Sequence, residues 1–178
     1  MNPACWLTRT ARRSPDTPAL MTGDRVVSSY GDFARTAAGI ATALIAGGIT
    51  RGDRVAIYMA NRVEYLEAMY GIWFAGAVAV PINAKLHARE AEWIINDAGA
   101  GLILSDDKLA AGLSELPSDT RSRLISVDSA DFSAMRATPP VASPAELDDD
   151  ALIWLFYTSG TTGQPKGVMM TCGMLASM

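Results

Sequence analysis

At 178 residues the chain is long enough for one ordinary domain with a real core and too short to expect several. Hydrophobic residues make up 49% and charged residues 19%, which excludes a disordered, low-complexity or collagen-like polypeptide. Fifteen Lys and Arg against nineteen Asp and Glu leave a formal charge of −4, the wrong sign for holding nucleic acid by neutralising its phosphates.

The first fifteen residues carry Arg9, Arg12 and Arg13 with no acid and no apolar signal core, so they read as an amphipathic opening helix ending at Ser14 and Pro15. A short polar and β-branched stretch over 25–30 reads as a small strand. A helix is predicted over 32–46, because Phe33, Ala37, Ile40, Ala41, Leu44 and Ile45 recur at helical spacing and Gly47 and Gly48 stop it. Residues 54–59 then read as a buried strand, 63–74 as a helix and 78–82 as a second strand after the Gly76 break.

The uncharged run over 68–84 falls short of the roughly 20 residues a membrane span requires, and Gly71, Gly76, Pro81 and Asn83 interrupt it. No transmembrane segment is expected. A helix over 88–97, a strand over 102–105, a weaker helix over 107–116 and a strand over 124–127 continue the rhythm. Strands alternating with helices predict an α/β fold with a largely parallel sheet and flanking helices on both faces. Residues 130–150 hold Pro139, Pro140, Pro144 and the run Asp148, Asp149 and Asp150 without a clear period, and read as a surface excursion before the last strand.

From 151 to 178 the only charged side chain is Lys166. An apolar strand over 151–157 opens directly into Thr158, Ser159, Gly160, Thr161, Thr162, Gly163, Gln164, Pro165, Lys166 and Gly167. Four hydroxyls can donate to an anion, and the glycines permit backbone angles and close approaches that a Cβ would forbid. Lys166 adds a full positive charge that can reach the same anion, and Pro165 stiffens the approach to it. A polyphosphate is the natural ligand. The Walker A pattern fails, because the sixth position counted from Gly160 is Pro165, and no dinucleotide fingerprint is present. A plain surface turn without a ligand is the bland alternative, and the coincidence of strand, hydroxyls, proline and isolated lysine argues against it.

The run from Tyr157 to Val168 resembles the phosphate-binding signature of the AMP-forming adenylating enzymes: acyl-CoA synthetases, adenylation domains of peptide synthetases and firefly luciferase. PDTPAL at 15–20, GDRVAI at 52–57 and GAVAVPINAKL at 76–86 resemble the family's N-terminal landmarks in order, so the resemblance covers the chain. It implies the N-terminal portion of the family's large AMP-binding domain, residues 1–178, with the C-terminal domain absent. It further implies a two-step reaction in which a carboxylate attacks the α-phosphate of Mg2+-bound ATP and coenzyme A then displaces AMP. ATP, Mg2+ and coenzyme A are the expected cofactors, with the main Mg2+ and coenzyme A residues beyond this chain. Thr158, Ser159, Gly160, Thr161, Thr162, Gly163 and Lys166 are expected at the ATP phosphates, and no catalytic or metal-binding residue is expected within the chain.

Two departures from the family pattern stand out. Thr171 and Cys172 fall where the family commonly has Thr or Ser followed by His, and a thiol cannot copy the imidazole's pattern of donor and acceptor. Cys172 is expected to be a buried, inert thiol rather than a nucleophile. The sequence also stops at Met178, before the family's adenine- and ribose-binding segments, and residues 167–178 are uncharged, with four methionines and no helix stop. The 178-residue chain by itself is therefore expected to be inactive, with its apolar end a possible site of oligomer contact.

Other candidates read as structural. Cys5 and Cys172 stand apart with no CxxC pair, against a disulfide framework or zinc ribbon and in favour of a reducing, cytoplasmic setting. His87 is the sole histidine, so it and Lys85 are assigned to a helix start rather than to coenzyme A or a metal. Trp73, Phe74, Trp93 and Trp154 are assigned to the core, and the three aspartates at 148–150 to a solvated turn.

The reading is the N-terminal part of an ATP-dependent acid–thiol ligase acting on a carboxylic, preferentially fatty, acid. Two alternatives remain at this point: an adenylation domain for an aryl or amino acid, and a non-catalytic nucleotide-responsive or interaction module.

Overall fold

The computed structural model describes residues 1–113, 124–158 and 165–177. Helix α1 (Ala4–Arg13) buries Ala4 and Leu7, turns Arg9, Arg12 and Arg13 outward and ends at Ser14, as predicted. Strands β1 (Pro18–Thr22) and β2 (Arg25–Ser29) pair antiparallel around a turn in which Gly23 takes a φ of 57°. Helix α2 (Tyr30–Ala46) begins where the Ser29 hydroxyl accepts the Asp32 amide at 3.2 Å, an N-cap that satisfies an otherwise unpaired donor.

The central elements follow as β3 (Arg54–Tyr58), α3 (Val63–Phe74), β4 (Val78–Pro81), α4 (Ala88–Asp97), β5 (Ala100–Ser105), α5 (Asp107–Leu113) and β6 (Leu124–Ser126). The chain then forms α6 (Ala130–Ala137), β7 (Leu152–Thr158), β8 (Lys166–Thr171) and α7 (Cys172–Ala176). Six strands form one sheet in the order β6-β5-β3-β4-β7-β8, parallel throughout except that β8 runs antiparallel to β7.

Helices cover both faces of this sheet, and the period-2 alternation of the strands shows how. Val55, Ile57, Ala79 and Leu104 face the cluster built by α2 and α3, whereas Ala56, Tyr58, Val80 and Ile103 face the cluster built by α4. Burial on both sides explains why these strands read as continuous apolar runs rather than alternating ones. Each fully buried Ile or Leu contributes roughly 1.5–3 kcal/mol of transfer free energy, and Ile57, Ile72, Ile103 and Leu104 are all at most 1% exposed. The α2–α3 contact is close because Gly71 lacks a side chain: a Cβ there would lie 2.6 Å from Ile40 Cγ2.

The predicted helices over 63–74 and 88–97 coincide with α3 and α4, and the other predicted strands and helices up to 127 agree to within a few residues among the described positions. The second half of the helix expected over 107–116 lies partly outside the described residues. The stretch 130–150 differs from the expected irregular excursion over its first half, which forms α6. Ser129 caps this helix by accepting the Phe132 amide at 3.2 Å, and Phe132 and Met135, three apart and buried, seat it on α2. A helix of eight residues with only two large apolar anchors shows too weak a period to be seen in sequence. From 138 to 150 the chain is irregular and lies back along the helices, Val141 donating to Ala38 O at 3.4 Å and Ala145 to Phe74 O at 2.9 Å.

Candidate functional site

Strand β7 lies beside β4 with Ala79 opposite Trp154, so its carboxyl end emerges at the same side of the sheet as those of β3, β4 and β5. That side is where open α/β sheets take their ligands. A register irregularity falls between Leu152 and Trp154, where the Trp73 indole donates to the Ile153 carbonyl at 2.9 Å. Beyond it Trp154 packs toward the α3 cluster, while Leu155 and Tyr157 pack toward the α4 cluster.

β7 and β8 form a hairpin whose last cross-strand pair is Thr158 opposite Lys166. The two arms of the loop are thereby held one strand spacing apart, about 5 Å. Thr158 and Lys166 are exposed, and none of the ion pairs among the described residues involves Lys166. Ser159, Gly160, Thr161, Thr162 and Gly163, the other expected phosphate ligands, lie outside the described residues. A cation with no ion-pair partner among the described residues, directly across from a hydroxyl at the carboxyl end of a parallel sheet, suits a multiply charged anion.

The arms carry further packing that sequence reasoning missed. The Tyr157 hydroxyl donates to Asp97 Oδ2 on α4 at 2.7 Å, and its ring meets Trp93 edge-on at a centroid distance of 6.1 Å. Burial and then the neighbouring Asp97 carboxylate push the Tyr157 phenol well above its usual range, so it remains a donor. Sixty residues separate this pair, and no local pattern announces it.

Cys172 is fully buried at the start of α7, where the Thr171 hydroxyl accepts the Met174 amide at 3.3 Å. Burial pushes its thiol pKa up, as expected for an inert cysteine rather than a nucleophile. His87 caps α4: its Nδ1 accepts the Arg89 amide at 3.3 Å, and Glu90 Oε2 accepts the His87 amide at 2.9 Å. Lys85 sits just before, its amide donating to Asn83 Oδ1 at 3.0 Å, so both residues belong to a helix start. Trp73 and Phe74 are buried in the core, and the half-buried Trp154 and Trp93 pack against it, Trp154 meeting Trp73 edge-on. The three aspartates form a turn closed by Ala151 donating to Asp148 O at 3.1 Å, and Asp149 O accepts the Gly173 amide at 2.7 Å.

Among the described residues no three His, Cys, Asp or Glu side chains converge as a metal site. No helix among them is long and apolar enough to cross a membrane. A cavity of about 640 Å3 lies between the β1–β2 hairpin and the start of α3, lined by Leu20, Met21, Arg25, Arg62 and Leu66 among others. It shares no lining residue with the β7–β8 hairpin, and Arg62 there is already paired with Glu64 and Asp128.

Comparison with known proteins bears on this geometry. Residues 7–178 match the family described as AMP-binding enzyme. Over 170 residues the chain is 37% identical to a feruloyl-CoA synthase of Amycolatopsis sp, covering 96% of this chain and 33% of that protein. It is 38% identical over 136 residues to the long-chain-fatty-acid–CoA ligase FadD13 of Mycobacterium tuberculosis, covering 74% of this chain and 27% of that one. In structure it is similar to the inhibitor-bound N-terminal domain of FACL13 from Mycobacterium tuberculosis, with a TM-score of 0.85 and 34% identity over 97% of this chain and 45% of that one.

The sheet order, the helices on both faces and the β7–β8 hairpin are thus the N-terminal α/β architecture of adenylate-forming enzymes. The chain belongs to the AMP-binding enzyme family, and it spans about a third of the length of the curated relatives it matches.

Proposed function

We propose that the 158–167 loop holds the β- and γ-phosphates of ATP and that residues 1–178 serve as the N-terminal part of an ATP-dependent acid–thiol ligase. The observation that carries this reading is the exposed Lys166 set directly across the hairpin from Thr158, at the carboxyl end of the parallel strands. In the reaction an oxygen of the substrate carboxylate bonds to the α-phosphorus of ATP. The bond from that phosphorus to the bridging oxygen breaks, and pyrophosphate departs. Charge accumulates on the departing group, where Lys166 and the loop's donors stand ready, and the loss of one such donor typically costs about 10²–10³ in rate. In the second half the thiol of coenzyme A attacks the acyl carbon, AMP leaves, and the thiol proton passes to solvent.

Thr158, Ser159, Gly160, Thr161, Thr162, Gly163 and Lys166 are the proposed phosphate ligands. ATP and coenzyme A are the proposed co-substrates, with Mg2+ accompanying the ATP phosphates, and the proposed setting is cytoplasmic. The proposed substrate is a carboxylic acid of fatty type, which the similarity to a long-chain-fatty-acid–CoA ligase supports. The similarity to a feruloyl-CoA synthase over nearly the whole chain favours an aryl acid as the second reading.

Carboxylate-dependent ATP–pyrophosphate exchange tests the proposal. The 178-residue chain alone is expected to give none. The same chain supplemented with a separate polypeptide covering the remaining two-thirds of a relative is expected to give exchange with fatty acids in a panel that includes cinnamic-type and amino acids. Exchange confined to aryl acids would replace the fatty reading, robust acyl-CoA formation by the chain alone would refute its inactivity, and exchange indifferent to Lys166→Ala would sink the phosphate assignment.

A further inference from the structure

The base of the loop is braced differently on its two faces: the Trp154 and Phe156 rings pack together on one, and a single aromatic residue tied to a helix lies on the other. Side chains alternate along β7 beyond its irregularity, so Trp154, Phe156 and Thr158 share the face turned toward α3, and Lys166 shares it by lying opposite Thr158. Tyr157 points to the other face, against α4, where Asp97 accepts its hydroxyl at 2.7 Å and Trp93 meets its ring at 90°. Across the ladder from Tyr157 stands Gly167, the residue after Lys166. A Cβ on Gly167 would lie 3.3 Å from Tyr157 Cζ and 3.1 Å from Leu155 Cδ1, so the missing side chain leaves the space that the ring occupies. One aromatic ring carried on β7 therefore lies against Gly167 of β8, at the cross-strand pair next to the Thr158–Lys166 pair, and one hydrogen bond ties that ring to a helix.

We infer that Tyr157 is a positioning residue for the phosphate loop, anchored by Asp97 and admitted by Gly167, and that it sets the separation and direction of Thr158 and Lys166 from the face opposite to the ligand. The inference rests on the phosphate-binding reading of the loop. Its physical basis is that a ligand held by preset donors loses affinity when those donors must first be ordered. β8 pairs on one edge only and much of it is exposed, and among the described residues Leu155 and Tyr157 are the β7 side chains that pack the hairpin on the α4 side. The phenol stays a donor through neutral and mildly alkaline pH, because burial and Asp97 both disfavour its ionisation.

Two readouts on the 178-residue chain test this: hydrogen–deuterium exchange across the hairpin base, and calorimetric affinity for inorganic pyrophosphate, each taken at a temperature where thermal unfolding shows every variant folded. Tyr157→Phe keeps the ring and removes the hydroxyl. It is expected to speed exchange over 157–158 and 166–168 and to weaken pyrophosphate binding about fivefold, the factor carried by one net hydrogen bond. Asp97→Ala is expected to do the same, and Asp97→Asn, whose amide oxygen still accepts the phenol, to restore most of both. Unchanged exchange in Tyr157→Phe overturns the clamp whatever the ligand does. Wild-type binding that Tyr157→Phe leaves intact overturns the positioning role alone. A wild-type chain that binds no pyrophosphate overturns the phosphate reading, and the positioning role with it.

Discussion

The three strands at the heart of the sheet and the β7–β8 hairpin at its edge are built from similar apolar letters and have opposite fates. In β3, β4 and β5, the eight core residues named above are at most 1% exposed, because helices close over both faces. In the hairpin, Val168 is 38% and Met169 67% exposed, and Thr158 and Lys166 open to solvent. The comparison teaches that this chain separates the burial that holds the fold from the exposed edge proposed to carry its chemistry. The parallel heart contributes the burial that holds the fold, and the edge carries a cation and hydroxyls that burial would neutralise or desolvate at high cost.

That contrast can be broken most visibly at its buried end. Leu104→Ala, at a site with no exposure, is expected to cost about 2–5 kcal/mol through lost transfer free energy and the cavity left behind. A urea titration would register it as a lower midpoint with an unchanged slope, and a loss below about 0.5 kcal/mol would mean that the heart is not the seat of stability.

An intermediate effect is expected where the heart meets its loops. Arg62 pairs with Glu64 at 2.7 Å and with Asp128 at 2.8 Å, joining the start of α3 to the segment after β6. Its guanidinium holds the Asp128 carboxyl below the ordinary carboxylate range. A depressed folded-state pKa means that the pair's contribution is present above the unfolded-state pKa, about 3.9, and is lost as pH falls through the lower folded value. Arg62→Gln is therefore expected to destabilise by about 1 kcal/mol at pH 7 and by progressively less as the pH is lowered below about 4. Thermal unfolding of both proteins across that range checks the sign, and a gap that widens in acid would contradict it.

At the exposed end the smallest effect is expected. Met169→Ser removes an apolar side chain that is mostly in solvent already, so stability should change by no more than about 0.5 kcal/mol. A larger loss would show that something covers this edge in solution, which light scattering of the wild type would then reveal as association.

The heart of the fold was legible because burial on two faces leaves a coarse signal: short apolar runs punctuated by Gly76 and the pair Gly47 and Gly48, with amphipathic helices between them. The helix start assigned to Lys85 and His87 was legible too, and in the structure His87 and Glu90 form a reciprocal cap there. β1 was overlooked because it begins at Pro18, which a central strand would reject and an edge strand tolerates. β8 was read only as part of an apolar end, since Lys166 and Gly167 weaken the strand signal of Val168 and Thr171 and the strand depends on β7 for pairing. The start of α6 did leave a sign in Ser129 and Asp131, too local to outweigh the prolines that follow.

The site divides in the same way. The hydroxyls, glycines and Lys166 could be proposed from sequence because a phosphate site calls for those residue types within a short loop. The brace behind them was not, because Asp97 and Tyr157 meet only through the packing of α4 on the sheet.

The central claim is that Lys166 at the open edge serves a polyanion and not the fold. Equilibrium binding of ATP to the 178-residue chain and to its Lys166→Ala variant, with thermal unfolding measured on the same samples, tests it most directly. Loss of one charge-assisted contact should weaken ATP about 10- to 100-fold while leaving the unfolding temperature unchanged. Equal affinity in the two proteins, or a variant that loses stability in step with affinity, would contradict the account.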